Sequence, residues 1–320
     1  MDQLRDEFLL LKARPRVAEG LLETAVRSSA FLVIAALVLI FVFVAKEAIP
    51  LLTSAEVHQE VTLGTMIWPQ ANGEFVWQPV SEKPKYSLAP LIVGTLKVTV
   101  MALLIAIPLA ILAAIYTSEF ASQQLRELVK PVVELLAGMP SVVIGFFALM
   151  VVATWVQDAF GLIFRLNAIT AGIGLSLAVI PIVYTVAEDA LSAVPQAFRD
   201  GSLALGANPW QTAWRVVLPA AMPGVFAACV LGFGRAIGET MIVLMASGNA
   251  AVMSFDPTQS FRSFSATIAA ELGEVVYGSP HYHVLFFIGA FLFVITFFLN
   301  LAGHWYVGRL RGRLEGKLKK

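Results

Sequence analysis

The chain has 320 residues, 58% of them hydrophobic and 14% charged, and its 22 basic residues balance 22 acidic ones. With its 23 glycines counted, roughly 65% is apolar, against about 45–50% in a soluble domain. That excludes an ordinary cytosolic enzyme, a disordered chain and a nucleic-acid-binding domain, and the lone Cys229 allows neither an intrachain disulfide nor a cysteine zinc cluster. The composition is that of a polytopic, all-α membrane protein.

A helix needs about 20 apolar residues to cross ~30 Å of hydrocarbon. Six uncharged stretches approach that length: 28–45, 98–118, 135–157, 166–187, 216–234 and 284–308. The second is expected to begin near Ala89, ahead of Lys97, and the fifth to run past Arg235 to about Met245. Residues 1–27 form a leader in which Phe8, Leu9, Leu11, Leu21, Leu22 and Val26 stand among charges. It reads as an interfacial amphipathic helix or as a partly ordered tail. Its acidic residues and the lack of a cleavage pattern argue for an anchor at 28–51 rather than a signal peptide.

Basic residues set the orientation. The leader, the loops 117–134 and 188–215 and the tail 309–320 together hold fifteen, while the opposite face holds Lys83, Lys85, Arg165 and Arg262. Both termini are therefore expected to be cytoplasmic. The outward loop 52–89 contains Trp68 and Trp77, which read as anchors for a partner or as interfacial aromatics. A second outward loop, 248–283, contains an apolar run, 266–272, that can re-enter the membrane or cover a pore mouth. Pro108, Pro140, Pro181 and Pro223 lie inside predicted spans. Each removes a backbone hydrogen bond that neighbouring helices or a cavity must replace.

The inward segment 188–219 carries the most information. From Asp200 it reads acidic-small-small (Asp200, Gly201, Ser202), Gly206 four residues on, then an aliphatic Val216 followed by Leu218 and Pro219. A short helix, a glycine turn at Gly206 and a proline in the first turn of the next span are expected. This pattern resembles the coupling motif of ABC importer permeases, with Asp for Glu, Gly-Ser for Ala-Ala and Val for Ile. The competing reading is an ordinary helical hairpin. No G-x-x-x-x-G-K-[ST] loop is present, so ATP hydrolysis must belong to a separate subunit.

Inside the fifth span, Arg235 and Glu239 are four residues apart and would share one helix face, with Thr240 beside them. Glycines 232, 234 and 238 keep that face open. An intramembrane arginine costs roughly 2.5–3.5 kcal/mol to insert. It reads either as an oxyanion-binding fork positioned by Glu239 or as half of a self-neutralising pair that fixes helix packing.

The segments 234–241, 246–249, 137–146 and 269–274 narrow the likeness. They resemble the C-type permease of the phosphate-specific (Pst) ABC importers, over about residues 88–305. The resemblance implies a type I importer permease fold with a five-helix core at 90–308. It also implies phosphate as the substrate and a multi-pass place in a bacterial inner membrane, while the pathway residues Arg235, Glu239 and Thr240 rest on the reading of the fifth span itself. The partners it implies are a homologous second permease, an ATPase dimer holding ATP and magnesium, an extracytoplasmic phosphate-binding protein and membrane lipid. No nucleic acid, resident cofactor, metal or catalytic group is expected. His281 and His283, flanking Tyr282 without a nearby carboxylate in sequence, make a weak metal signal, and Cys229 reads as a packing residue. Permeases for other oxyanions (phosphonate, sulfate or molybdate), a channel or secondary transporter and a phosphate-sensing interaction protein remain as alternatives.

Overall fold

A computed structural model describes residues 17–69, 73–314 and 316. The chain divides into two units, Met1–Glu47 and Ala48–Lys320. Helix α1, Val17–Ala48, makes up the described part of the first unit. Its Phe31, Leu32 and Leu39 are exposed, as befits an anchor that meets lipid rather than a packed core. The leader residues Phe8, Leu9 and Leu11 lie outside the described residues. From Val17 on, the leader runs straight into the first predicted span as one helix.

The second unit opens with three short helices, α2 (Pro50–Thr53), α3 (Ala55–Glu60) and α4 (Leu63–Ile67), and a two-stranded hairpin, β1 (Trp77–Gln78) against β2 (Lys85–Tyr86). Five helices long and apolar enough to cross a membrane follow, giving six such helices with α1. They are α5 (Ala89–Glu119), α7 (Ser141–Phe160), α8 (Ala168–Ser192), α10 (Pro209–Gly238) and α13 (Pro280–Leu314). Between them lie α6 (Gln123–Ala137), α9 (Gln196–Ala204), α11 (Met241–Ala246) and α12 (Phe264–Glu271).

Helix α8 is the hub, packed on α5, α7, α10 and α11. The reason is side-chain size. Ala102, Ala106, Ala110 and Ala114 recur every fourth residue along α5, all fully buried, and let its backbone approach α8. Gly232 of α10 faces Val183 of α8, where a Cβ would stand 2.5 Å from Val183 Cγ2. Lipid tails are as apolar as leucine, so this close van der Waals contact replaces the hydrophobic drive of a water-soluble core.

Three predicted boundaries move. Residues 135–137 belong to α6, which buries none of its side chains, and the chain breaks at Gly138–Pro140 before the third span starts at Ser141. Pro140 is therefore a helix cap rather than an internal kink. Pro219 stands in the first turn of the regular α-helix Leu218–Gly238, as expected, but α10 begins earlier, at Pro209, and passes through a π-helical turn at Ala213–Val217 just before it. The wider turn accommodates a residue with no N–H to give. The fifth span does not reach Met245: it ends at Gly238, and α11 restarts at Met241.

A separate cluster caps the face formed by residues 50–89 and 248–283, here the far face. Leu51, Met66, Trp77, Tyr86 and Leu91 pack there on Phe264 and on Val284, Leu285 and Ile288 of α13. The near face carries Glu119, the loop 193–208 and the other ends of the spans.

Candidate functional site

The break in α10 is built from its sequence. Gly232, Gly234 and Gly238 weaken the last turns, and Glu239 leaves the helix with extended backbone (φ −70°, ψ 129°). Arg235 and Glu239 thus do not lie on one continuous helix. They still meet, with Arg235 Nη2 3.8 Å from a Glu239 carboxylate oxygen. That distance makes a loose ion pair and not a bidentate fork. The Arg235 side chain is 44% exposed and that of Glu239 only 6%. Helix α12 steadies the break, because Ser265 Oγ donates to the Glu239 carbonyl at 2.8 Å. Thr240 Oγ1 reaches back to the Gly238 carbonyl at 3.4 Å. A half-free guanidinium beside a buried carboxylate, at an interrupted span, is equipped to take an anion.

On the near face, α9 stands where the motif predicts a short helix. Asp200 accepts from Gln196 Nε2 at 3.1 Å, and Ser202 Oγ lies 3.0 Å from Thr212 Oγ1, joining α9 to the base of α10. Gly201 is exposed with open space where a Cβ would be, and Gly206 turns the chain at φ +86°, a left-handed conformation that disfavours any side chain. Leu218 is half-buried and Pro219 exposed. Phe198, Leu203, Leu205 and Trp210 are exposed around this helix.

Arg199 holds α9 in place. Its guanidinium grips Glu119 at the end of α5 through Nε (3.0 Å) and Nη2 (2.7 Å) and also donates to the Leu191 and Val194 carbonyls. The Glu119 hydrogen bond outweighs burial and holds the Arg199 pKa above its ordinary value. Lys130 of α6 pairs with buried Glu188 of α8 at 2.8 Å, and that hydrogen bond likewise raises the lysine's pKa.

The far face has its own knot. Glu271 accepts from Trp77 Nε1 (3.1 Å), pairs with Arg262 Nη1 (2.5 Å) and meets His281 Nε2 at 2.9 Å. Burial pushes the Glu271 carboxyl up, but the His281 and Trp77 hydrogen bonds and the Arg262 charge outweigh it, so its pKa lies below the usual range. Tyr86, packed on Trp77 and His281, is pushed to about 12, chiefly by burial and further by Glu60 and Glu271. Trp77 is consequently buried and structural, whereas Trp68 is exposed. A carboxylate does lie beside His281, although no group of three or more metal-ligating residues occurs among the described residues. The run 266–272 is mostly α12, its first half buried against the spans.

Residues 106–315 match the family described as the binding-protein-dependent transport system inner membrane component. The chain belongs to this family. It is 36% identical over 225 residues to the probable ABC transporter permease protein YqgH of Bacillus subtilis (strain 168), covering 70% of this chain and 73% of that one. It is 34% identical over 256 residues to the phosphate transport system permease protein PstC of Mesorhizobium japonicum, covering 74% and 77%. Among solved structures, a bacterial ABC transporter involved in import of the acidic polysaccharide alginate superposes with a TM-score of 0.57 at 18% identity, covering 92% of this chain and 99% of that one. The fold is that of a type I ABC importer permease.

Within this permease, the structure brings Arg235, Glu239 and Thr240 to one break, and Asp200, Gly201, Ser202 and Gly206 to one exposed helix and turn. The two groups sit at different ends of α10. From Trp214 to Arg235 the helix rises roughly 30 Å at about 1.5 Å per residue. Sequence reading missed Glu119 and Arg199, which lie 80 residues apart. The signal that could have found them is positional: an acid ending one span and a base beginning the motif helix.

Proposed function

We propose that this chain is the transmembrane permease subunit of an ATP-driven inorganic phosphate importer. The observation that carries the reading is the half-exposed Arg235 guanidinium, loosely held by buried Glu239 where the fifth span is interrupted. An importer must bind its anion and then release it. A guanidinium already committed to a tight carboxylate fork could not bind, whereas one at 3.8 Å can exchange partners. Phosphate in particular is supported by the relatives, several of which are named phosphate transport system permeases.

In this reading a homologous second permease completes the pathway, and an extracytoplasmic phosphate-binding protein delivers the anion to the far face. An ATPase dimer with its own ATP and magnesium docks on α9. The exposed Phe198, Leu203, Leu205 and Trp210 supply apolar anchors for that dimer, and Arg199 transmits its motion to α5 and α8. Both termini and the near face are cytoplasmic, and the chain itself catalyses nothing. Uptake of labelled phosphate by the reconstituted complex, with sulfate and molybdate as competitors, tests the reading. ATP-dependent phosphate uptake that excess sulfate and molybdate leave intact is expected. Equal inhibition by either ion would replace phosphate with a broader oxyanion substrate.

A further inference from the structure

A groove of about 520 Å³ opens between α5, α10 and α13. Leu103 and Ile107 of α5, Phe226 and Phe233 of α10, and Leu299 and Ala302 of α13 line it. Among the described residues, no charged one does. The cause is local. At Gly303, α13 presses on Val230 of α10, where a Cβ would stand 2.5 Å from Val230 Cγ1, and Phe226 packs on Tyr306 at 4.6 Å. Helix α5 is drawn instead to α8 by its buried alanines, so its Leu103 and Ile107 face α13 across a gap.

Towards the end of α13 the groove changes character. Trp305 and Tyr306 also line a smaller recess of about 110 Å³, which Arg309 and Leu310 complete. The Arg309 guanidinium lies over the Trp305 ring, 4.9 Å from its centroid. The sequence from 309 to 320 holds six basic residues and one acid, Glu315. An apolar trough therefore ends at an aromatic belt and a cation, the two-part chemistry of a phospholipid with an anionic head.

The groove also points away from Arg235. Phe226 and Arg235 are nine residues apart on α10, about 180° around a helix of 3.6 residues per turn. If Arg235 faces the pathway, the groove faces the surroundings of the permease. We propose that it holds an acyl chain of an anionic phospholipid whose phosphate sits on Arg309. The orientation part of this inference rests on the pathway reading of Arg235; the apolar lining and the cation do not. Between helices in lipid, selectivity comes from van der Waals fit and headgroup charge rather than from the hydrophobic effect. Arg309 thus supplies the choice of lipid and the groove supplies the seat.

The test uses the complete transporter in nanodiscs containing phosphatidylcholine and phosphatidylglycerol, with a photoactivatable residue at Leu299 and mass spectrometry of the adducts. Phosphatidylglycerol should be captured in preference to phosphatidylcholine. Arg309→Ala should lower that preference roughly fivefold, the worth of one cation beside an anionic surface. Ala302→Phe, which fills the groove, should remove the adduct from a complex that still elutes intact. Equal capture of the two lipids, an unchanged preference in Arg309→Ala, or adducts to a helix of another subunit would overturn the proposal. Arg235→Gln should leave the lipid adduct in place, so loss of the lipid site and loss of the pathway reading give separate results.

Discussion

Two of the arginine–glutamate pairs among the described residues, Arg199–Glu119 and Arg235–Glu239, are built in opposite ways. Arg199 and Glu119 meet through two short bonds, with side chains 14% and 8% exposed, and the guanidinium gives two further bonds to backbone carbonyls. Arg235 and Glu239 meet at 3.8 Å, with the arginine 44% exposed. Charge and residue type are the same; commitment differs. A guanidinium engaged by a carboxylate and two carbonyls locks elements together, and a loosely held one has donors left for a ligand. The first pair reads as architecture and the second as chemistry.

The sharpest way to break this comparison is to remove each arginine. Arg235→Gln should cut phosphate uptake by about 100-fold or more, on the scale of losing a charged bond worth roughly 3 kcal/mol, while the amount of assembled complex stays the same. Arg235→Lys should recover part of the rate, because an ammonium is a point charge without the planar fork. Glu239→Gln should be milder if the carboxylate only positions the arginine. Normal uptake by an assembled Arg235→Gln complex would remove the pathway reading.

Arg199→Ala should show the reverse pattern. It strands the nearly buried Glu119, and breaking a buried pair in this way costs about 3–5 kcal/mol. The thermal midpoint of the detergent-solubilised complex should fall, and ATPase coupling should fall with it. A variant of unchanged stability would mean that Glu119 finds another partner and that α9 is not held by Arg199.

These two sites were not equally legible in the sequence. The six spans follow from hydropathy, and the pair 235/239 and the motif 200–219 follow from spacing, because each is local. What stayed hidden depends on distant residues or on backbone detail. Arg199 finds Glu119 across 80 positions and Trp77 finds Glu271 across 194, and no periodicity records either contact. The end of α10 at Gly238 was also hidden, because the apolar run resumes at 241–246 beyond Glu239 and reads as the same span continuing. Hydropathy registers burial in lipid and does not register whether the backbone stays helical. The division at 138–140 was more readable, since glycine and proline two residues apart are a stop signal that the apolar count overrode.

Smaller effects refine the near-face half of the comparison. Gly206→Val meets nothing within 4 Å, so its penalty is backbone strain alone, about 1–2 kcal/mol for a branched residue in a left-handed conformation. It should loosen the turn after α9 and lower transport-stimulated ATP hydrolysis while leaving the protein in the membrane. Gly201→Ala also has open space and lies inside the helix, where alanine is favoured by about 1 kcal/mol. The permease alone should tolerate it. If transport falls nonetheless, the added methyl is meeting the docked ATPase, which places that surface at Gly201; if both variants behave like wild type, α9 is not the coupling element.

The smallest effect is expected at the far-face knot, and its sign follows from the carboxyl shift. The folded-state pKa of Glu271 lies below the ordinary glutamate value, so the stability it contributes is fully present above about pH 4.3, the unfolded value. That stability is lost only as pH falls through the lower folded value. The far face should therefore hold steady from pH 7 through the range where exposed glutamates titrate, and loosen only below it. A cysteine at Val80, beside the hairpin that Trp77 anchors, offers a local readout of its mobility through a spin label. Label mobility that is flat down to about pH 4.3 and rises only in stronger acid is the expected result, with Glu271→Gln mobile at every pH. A rise that begins well above that range would mean that the Glu271 carboxyl does not control the knot.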